Sequence, residues 1–370
     1  MGLSASVIDR RTLAAILLAT AVGCGGDRPH GITSIAGEKP IGAPIRIEAP
    51  LGLPPVPIPL NNPVTREGVA LGRRLFYEKK LSRDNTLACA SCHNPFLGFT
   101  DGQKHSTGVG GKIGTRNAPT VINAAYFPSQ FWDGRASSLE DQADKPIANP
   151  IEMDQGHDVW VAKLDADPIY KAEFQKAFGP GPATLSKVTS ALASFERTVI
   201  SGNSPFDRYQ YGGDKKALSS AAIRGLTIFR DPARGNCTAC HTIGEKYALF
   251  SDGKFHNIGV GVNGEGDLTD LGRYSETKVE SDKGAFKTPT LRNVAKTAPY
   301  MHDGSEKTLK AVVDFYAGGG NSNPYLDKDI KEIKLSGQER ADLVEFLESL
   351  TGEMPATVGP PETAQTTSLK

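Results

Sequence analysis

The sequence predicts a mainly helical chain made of two similar domains, with few short strands. Three observations carry that prediction. A module of glycine, an apolar stretch with Phe, a charged loop and Cys-x-x-Cys-His occupies 72–93 and recurs at 225–241, the mark of a duplication. Amphipathic helical patterns close both copies, and strand-like alternation is short and rare. Finally, 40 glycines and 25 prolines in 370 residues point to a loop-rich fold around those helices.

The length suits two domains, each able to bury its own core. Lys plus Arg equals Asp plus Glu at 42 each, so the net charge is zero. That balance gives no electrostatic footprint for nucleic acid or an anionic membrane.

Taken in order, residues 1–24 read as an export signal: Arg10 and Arg11, then the short apolar run "TLAAILLATAVGC". The run is too short to span a bilayer. Ala-Val-Gly-Cys at 21–24 resembles a lipoprotein cleavage box that would leave Cys24 lipidated, with Ala21 in the usual leucine position and plain secretion as the alternative. Residues 25–62 are Pro/Gly-rich and read as an extended lead-in. The first domain, 63–205, is expected to close with a helix near 185–200, where Leu185, Val188, Leu192, Phe195 and Val199 recur at helical spacing. "SGNSPFDRYQYGG" marks the boundary. The second domain, 206–352, closes with "SGQERADLVEFLESL". There Ser336 and Glu339 form a capping-box pattern, and Leu343, Phe346, Leu347 and Leu350 make one apolar face. Residues 353–370 are expected to be a flexible tail.

With Cys24 assigned to the leader, four cysteines remain, all inside Cys-x-x-Cys-His: Cys89, Cys92 and His93, then Cys237, Cys240 and His241. On a helix, positions i, i+3 and i+4 share a face, so two sulfurs and an imidazole can meet one flat object. A zinc site would need further Cys or His ligands in pairs, and none are left. A redox dithiol needs no histidine there. The pattern is that of a covalent c-type haem, with thioether bonds to the cysteines and the histidine as proximal iron ligand. Each domain is therefore expected to be cytochrome-c-like and to carry one such haem, in the oxidising setting that an export signal implies.

From about 63 to 351 the chain resembles the bacterial dihaem cytochrome c peroxidase family, which includes MauG. The resemblance is carried, in order, by "CASCHNP", "GTRNAPTVINAAY", "QFWDGRASSLEDQADKPIANPIEM", "CTACH", "FKTPTLRNVAKTAPYMHDGS" and "VVDFYAGGG". It implies a peroxide site at the N-terminal haem and an electron-relaying C-terminal haem. By motif, it makes Glu152 the distal carboxylate that moves the peroxide proton. Gln142 becomes the distal amide, Pro146 the residue crowding the iron, and Trp132 the tryptophan between the haems. Splitting an O–O bond requires a proton to pass from the inner to the outer oxygen, and a carboxylate can accept and return it. Asn117, with the carbonyls of Thr297 and Pro299, matches the family's calcium site, and oxygen donors suit that hard cation.

Two departures set the subtype. Typical peroxidases of the family carry a distal histidine where this chain has Val109, so the first haem is expected to be open on that side; His105, four residues upstream, is the rival ligand. The position of the distal methionine holds Tyr316, as in MauG, with Met301 as the rival. A phenolate favours ferric iron and lowers the potential, whereas a thioether raises it. Against MauG, Gly235 stands where that enzyme uses a surface tryptophan, and the only other tryptophan, Trp160, lies far off in sequence.

The resemblance implies a peroxidase that reduces hydrogen peroxide with electrons from a small exported cytochrome c or copper protein. The alternatives are a MauG-like oxidase acting on a partner protein and a dihaem electron carrier without enzymatic activity. The expected location is the bacterial periplasm, as a lipid-anchored lipoprotein; a homodimer is compatible with the sequence.

Overall fold

A computed structural model describes residues 38–361. The export signal and Cys24 lie outside the described residues, as do residues 362–370.

Among the described residues, eleven α-helices and one two-residue antiparallel strand pair order the chain. The first half contains α1 (Arg66–Phe76), α2 (Cys89–Cys92), α3 (Leu139–Ala148), α4 (His157–Asp165), α5 (Pro168–Phe178) and α6 (Leu185–Glu196). The second holds α7 (Pro205–Gln210), α8 (Ser220–Arg230), α9 (Tyr274–Thr277), α10 (Leu309–Ala317) and α11 (Gly337–Glu348). Strands β1 (Phe255–His256) and β2 (Phe286–Lys287) pair antiparallel.

The long helices start where side chains satisfy their free N–H groups. Thr65, Thr184 and Ser219 each accept from a backbone amide inside their helix. Ser336 and Glu339 form the reciprocal capping box read from the sequence.

Two hydrophobic cores result. Leu71, Phe76, Trp160, Phe174, Val188 and Phe195 belong to one, Phe206, Phe229, Phe250, Phe346 and Leu350 to the other. In each, the first and last long helices cross at a glycine. A Cβ on Gly72 would lie 1.8 Å from the Ala191 oxygen, and one on Gly225 would lie 2.0 Å from the Asp342 oxygen. Only glycine lets backbone meet backbone at these two crossings.

The structure extends the repeat well beyond the cysteine module. Residues 117–139 and 287–309 correspond at a constant offset of 170. Pro119 and Thr120 match Pro289 and Thr290, and Asp133-Gly134 matches Asp303-Gly304. Asn123 and Asn293 are both left-handed (φ 63 and 59), as are Phe131 and Met301 (φ 66 and 71). Helix α3 starts after Ser138 and α10 after Thr308, which places Pro146 and Tyr316 at equivalent positions.

Three stretches read as connectors are packed. In the boundary stretch, Ser204 and Asp207 cap α7, and Phe206 is fully buried in the second core. Along the lead-in, Ile41 N–H donates to Ala177, Asn62 donates to Glu140 and Ser190, and the Gly52 carbonyl accepts from Arg292. The lead-in therefore straps both halves. In the expected tail, the Val358 carbonyl accepts from the Tyr77 hydroxyl, and Val358 is buried in the first core. Residues 353–361 thus return to the first half, held by the carbonyls of Val358, Gly359 and Pro360 and by the packing of Val358 and Met354 on the first core.

One ion pair closes this strapping. Arg292 donates to both Asp207 oxygens at 2.8 and 2.9 Å, and to the Ala248 and Gly52 carbonyls. Both side chains are buried, so removing the cation leaves an uncompensated carboxylate. Arg292→Met is expected to cost about 3–5 kcal/mol, read by denaturant unfolding of the haem-loaded protein; a loss below about 1 kcal/mol would contradict this role for the pair.

Candidate active site

Both Cys-x-x-Cys-His segments form single tight turns that end on the histidine. Cys89–Cys92 is one α-turn, whereas Cys237–Ala239 is the tighter 3-10 form rather than the α-turn expected from the spacing. In both, the histidine N–H donates to the first cysteine's carbonyl. His93 Nδ1 lies 3.2 Å from the Phe99 oxygen, and His241 Nδ1 lies 2.9 Å from the Phe250 oxygen. A carbonyl can only accept, so Nδ1 carries the proton and Nε2 keeps its lone pair. Burial pushes both imidazoles toward the neutral form, opposed by these carbonyls. A neutral ring with a fixed tautomer is the metal-ligating form.

Cys89, Cys92, Cys237 and Cys240 are not in disulfides. Burial pushes the Cys89 and Cys237 thiols up to about 12 and Cys92 to about 11, the opposite of a reactive dithiol. Among the described residues, no group of three His, Cys, Asp or Glu is placed to hold a metal ion. Sulfurs held as thiols beside an imidazole with a free Nε2 fit covalent haem attachment.

Around the first turn, the loop carrying Val109 is docked by its backbone. Val109 N–H donates to the Glu152 carbonyl at 2.8 Å. Gly108 packs so tightly that a Cβ would lie 1.8 Å from the Ile151 oxygen. Lys112 Nζ reaches the Pro150 carbonyl and Asp154, which Arg83 also pairs. Val109 is buried and sits beside Glu152. The Glu152 carboxylate accepts from Asn149 Nδ2 at 2.8 Å, and burial raises its pKa, opposed by Arg135 and that bond. Glu152 also lies within electrostatic range of Cys89 and Cys92. Gln142 and Pro146 stand one turn apart on α3, and the Pro146 carbonyl accepts from Met153, next to Glu152. His105, the rival ligand, has a buried Nε2 without a hydrogen-bond partner among the described residues.

The second turn opens on a cavity of about 290 Å³ lined by Cys237, Cys240, His241, Tyr316 and Met301. Burial pushes the Tyr316 phenol up, and both cysteines lie within electrostatic range of it. Tyr316 is on α10 at the position equivalent to Pro146, facing the same space as His241. Met301 lines this space too, on the left-handed residue that corresponds to Phe131.

Trp132, Asn117, Thr297 and Pro299 line the same cavity. Trp132 Nε1 donates to the Asn117 carbonyl at 2.9 Å, and its ring meets His302 edge-on at 6.4 Å. Asn117 Nδ2 donates to the Gln103 carbonyl, which leaves Oδ1 as the amide's donor atom for a cation. Trp160, by contrast, is fully buried in the first core.

The sequence reading missed Glu196. It is 6 % exposed on α6, within electrostatic range of Cys89, and burial pushes it up to about 8, opposed by Arg197 and reinforced by Glu140. The apolar periodicity of α6 hid it.

The fold and these two turns define a c-type cytochrome with two haem-attachment sites. Comparison with known proteins agrees. Residues 66–216 match the di-haem cytochrome c peroxidase family, and 222–351 match cytochrome c. The chain is 42% identical over 308 residues to the methylamine utilization protein MauG of Methylorubrum extorquens, covering 83% of this chain and 84% of that protein. It is 36% identical over 315 residues to the cytochrome c551 peroxidase of Pseudomonas aeruginosa, covering 83% and 86%. A solved MauG-like protein associated with microbial copper homeostasis superposes with a TM-score of 0.75 at 34% identity, over 83% of this chain and 95% of that one. The chain belongs to the di-haem cytochrome c peroxidase family.

Glu196 yields a test of the buried geometry. Its folded pKa stands above the ordinary carboxyl value, so the unfolded chain binds fewer protons in the window between them. Stability therefore falls as pH rises from about 4.5 to about 8 and levels off above. Melting curves across that range should show the fall in the haem-loaded protein and a flatter profile in Glu196→Gln; identical profiles would contradict it.

Proposed function

We propose that the protein is a dihaem c-type peroxidase that reduces hydrogen peroxide to water. The observation that carries this reading is the bond from Val109 N–H to the Glu152 carbonyl. It holds the backbone of a residue unable to ligate iron against that of Glu152, whose carboxylate lies within electrostatic range of Cys89 and Cys92. A haem held by Cys89, Cys92 and His93 would supply a one-electron redox centre able to bind peroxide.

The chain's own residues do the rest. Asn149 orients the Glu152 carboxylate, burial raises its pKa above the ordinary carboxyl value, and Glu152 is assigned the proton carrier. Gln142 is assigned the orienting amide and Pro146 the group that limits space above the first iron. Trp132, with its N–H held by Asn117, is assigned the relay between the halves. Tyr316 is the proposed distal ligand of the second iron, because it occupies the α10 position equivalent to Pro146. Asn117 Oδ1 and the carbonyls of Thr297 and Pro299 are assigned to one Ca²⁺. The reading includes a periplasmic, lipid-anchored protein, able to dimerise, that receives electrons from a small exported cytochrome c or copper protein.

A specific observation weighs against a MauG-like oxidase. A Cβ on Gly235 would lie 2.2 Å from the Ile228 oxygen and 2.9 Å from its carbonyl carbon. A tryptophan exit at that position is incompatible with this backbone. A pure electron carrier is disfavoured because it would have no use for a proton-holding Glu152 beside an open position.

Glu152→Gln keeps the shape and removes the base. Peroxide turnover is expected to fall about 10²–10⁴-fold with haem content unchanged. In the parent, activity should decline as pH falls through the raised Glu152 pKa, and this limb should vanish in the variant. A loss below tenfold with the acid limb intact would reject Glu152 as the proton carrier.

A further inference from the structure

Lys287 is a cation in search of an anion. It lies on β2 in the wall of the cavity lined by Cys237, Cys240 and His241. Its Nζ donates to the Ser129 carbonyl at 2.7 Å and stands 5.3 Å from the centre of the Phe127 ring. An ammonium has three N–H donors, and this is the one hydrogen bond its Nζ makes among the described residues. No carboxylate of those residues reaches ion-pair distance. Burial pushes its pKa down to about 8, with only Asp133 opposing. A desolvated cation without a counter-charge is costly and persists where something else supplies the anion.

The backbone places this lysine with respect to the second histidine. β2 runs directly into Thr288 and Pro289, and the Pro289 backbone meets the His241 imidazole. The Lys287 N–H donates to the Trp132 carbonyl at 2.8 Å, so the lysine is held in register with the tryptophan. Its counterpart at the offset of 170 is Asn117, whose N–H donates in the same manner to the His302 carbonyl at 2.7 Å. The two halves use one position for cations in different ways: an amide fit for a metal ion in the first, a covalent ammonium in the second.

A c-type haem is attached through its vinyl groups, so its two carboxylates remain to be placed. We propose that Lys287 is the anchor for a carboxylate of the haem attached at Cys237 and Cys240. This rests on the two-haem reading. The bond neutralises the buried ammonium, fills its donors, and ties the second haem to the strand that positions Trp132. Lys287 is thus a cofactor-binding residue with a second, positioning effect on the tryptophan.

The test uses the intact protein with both haems, as parent, Lys287→Met and Lys287→Arg. Haem-to-protein ratio, the resonance Raman bending mode of the haem carboxylates, and the two midpoint potentials are measured together. In Lys287→Met, the carboxylate mode of the second haem should shift and its potential should fall, with the first haem's unchanged. Lys287→Arg should restore both. A Lys287→Met chain that loses the second haem while Lys287→Arg retains it supports the same conclusion. Unchanged mode and potential in Lys287→Met, changes confined to the first haem, or equal haem loss in both variants would overturn it. A parent ratio below two haems would instead refute the two-haem reading.

Discussion

Two crossed backbone hydrogen bonds set the geometry on which the rest depends. Asn117 N–H reaches the His302 carbonyl in the other half, and Lys287 N–H reaches the Trp132 carbonyl back across the same seam. The donors are equivalent positions of the repeat, as are the acceptors, so the halves meet about a pseudo-twofold relation. Side-chain pairs reinforce the seam: Arg116 bridges Asp133 and Asp270, and Arg273 donates to the Asp133 and Gly134 carbonyls. Backbone bonds tolerate side-chain change. The same frame can therefore hold different chemistry on its two sides.

Function, on the proposed reading, arises from what differs at matched positions. Pro146 and Tyr316 occupy one place on α3 and α10; a proline offers no ligand and a tyrosine offers an oxygen. Trp132 and His302 occupy another, and they meet edge-on in the cavity. Asn117 and Lys287 hold a third. Beyond the repeat, only the first half carries the docked loop of Val109 with Glu152. On the proposed reading, one frame would leave the first haem's iron open to peroxide and let Tyr316 close the second. The division of labour between a peroxide site and an electron store needs that asymmetry.

Much of this was legible in the sequence. The spacing of Cys89, Cys92 and His93 specified the attachment turn because three side chains must meet one flat group. The capping box at Ser336 was readable because its partner lies three residues away. Contacts between distant segments were not. Gly52 and Val358 are tied down by their carbonyls, which every residue has, and Val358 alone makes no periodic pattern. Val109 could be assigned as a departure from the family, but its docking on Glu152 depends on a glycine at 108 with no room for a side chain. Glu196 is masked by the apolar periodicity of its own helix, and the surroundings of Lys287 come from elements distant in sequence. The 170-residue repeat was written in "NAPT" and "KTPT" and in "FWDG" and "MHDG", but it gained meaning only when Pro146 and Tyr316 fell at the same turn of two helices.

The claim that decides this account is that the two irons differ in the resting protein. Electron paramagnetic resonance of the fully ferric protein with both haems attached measures that directly. The account requires one high-spin signal, from the first iron with Val109 nearby and no distal ligand, and one low-spin signal, from the second with its two protein ligands. Two low-spin signals would contradict it, and would place a ligand such as His105 on the first iron.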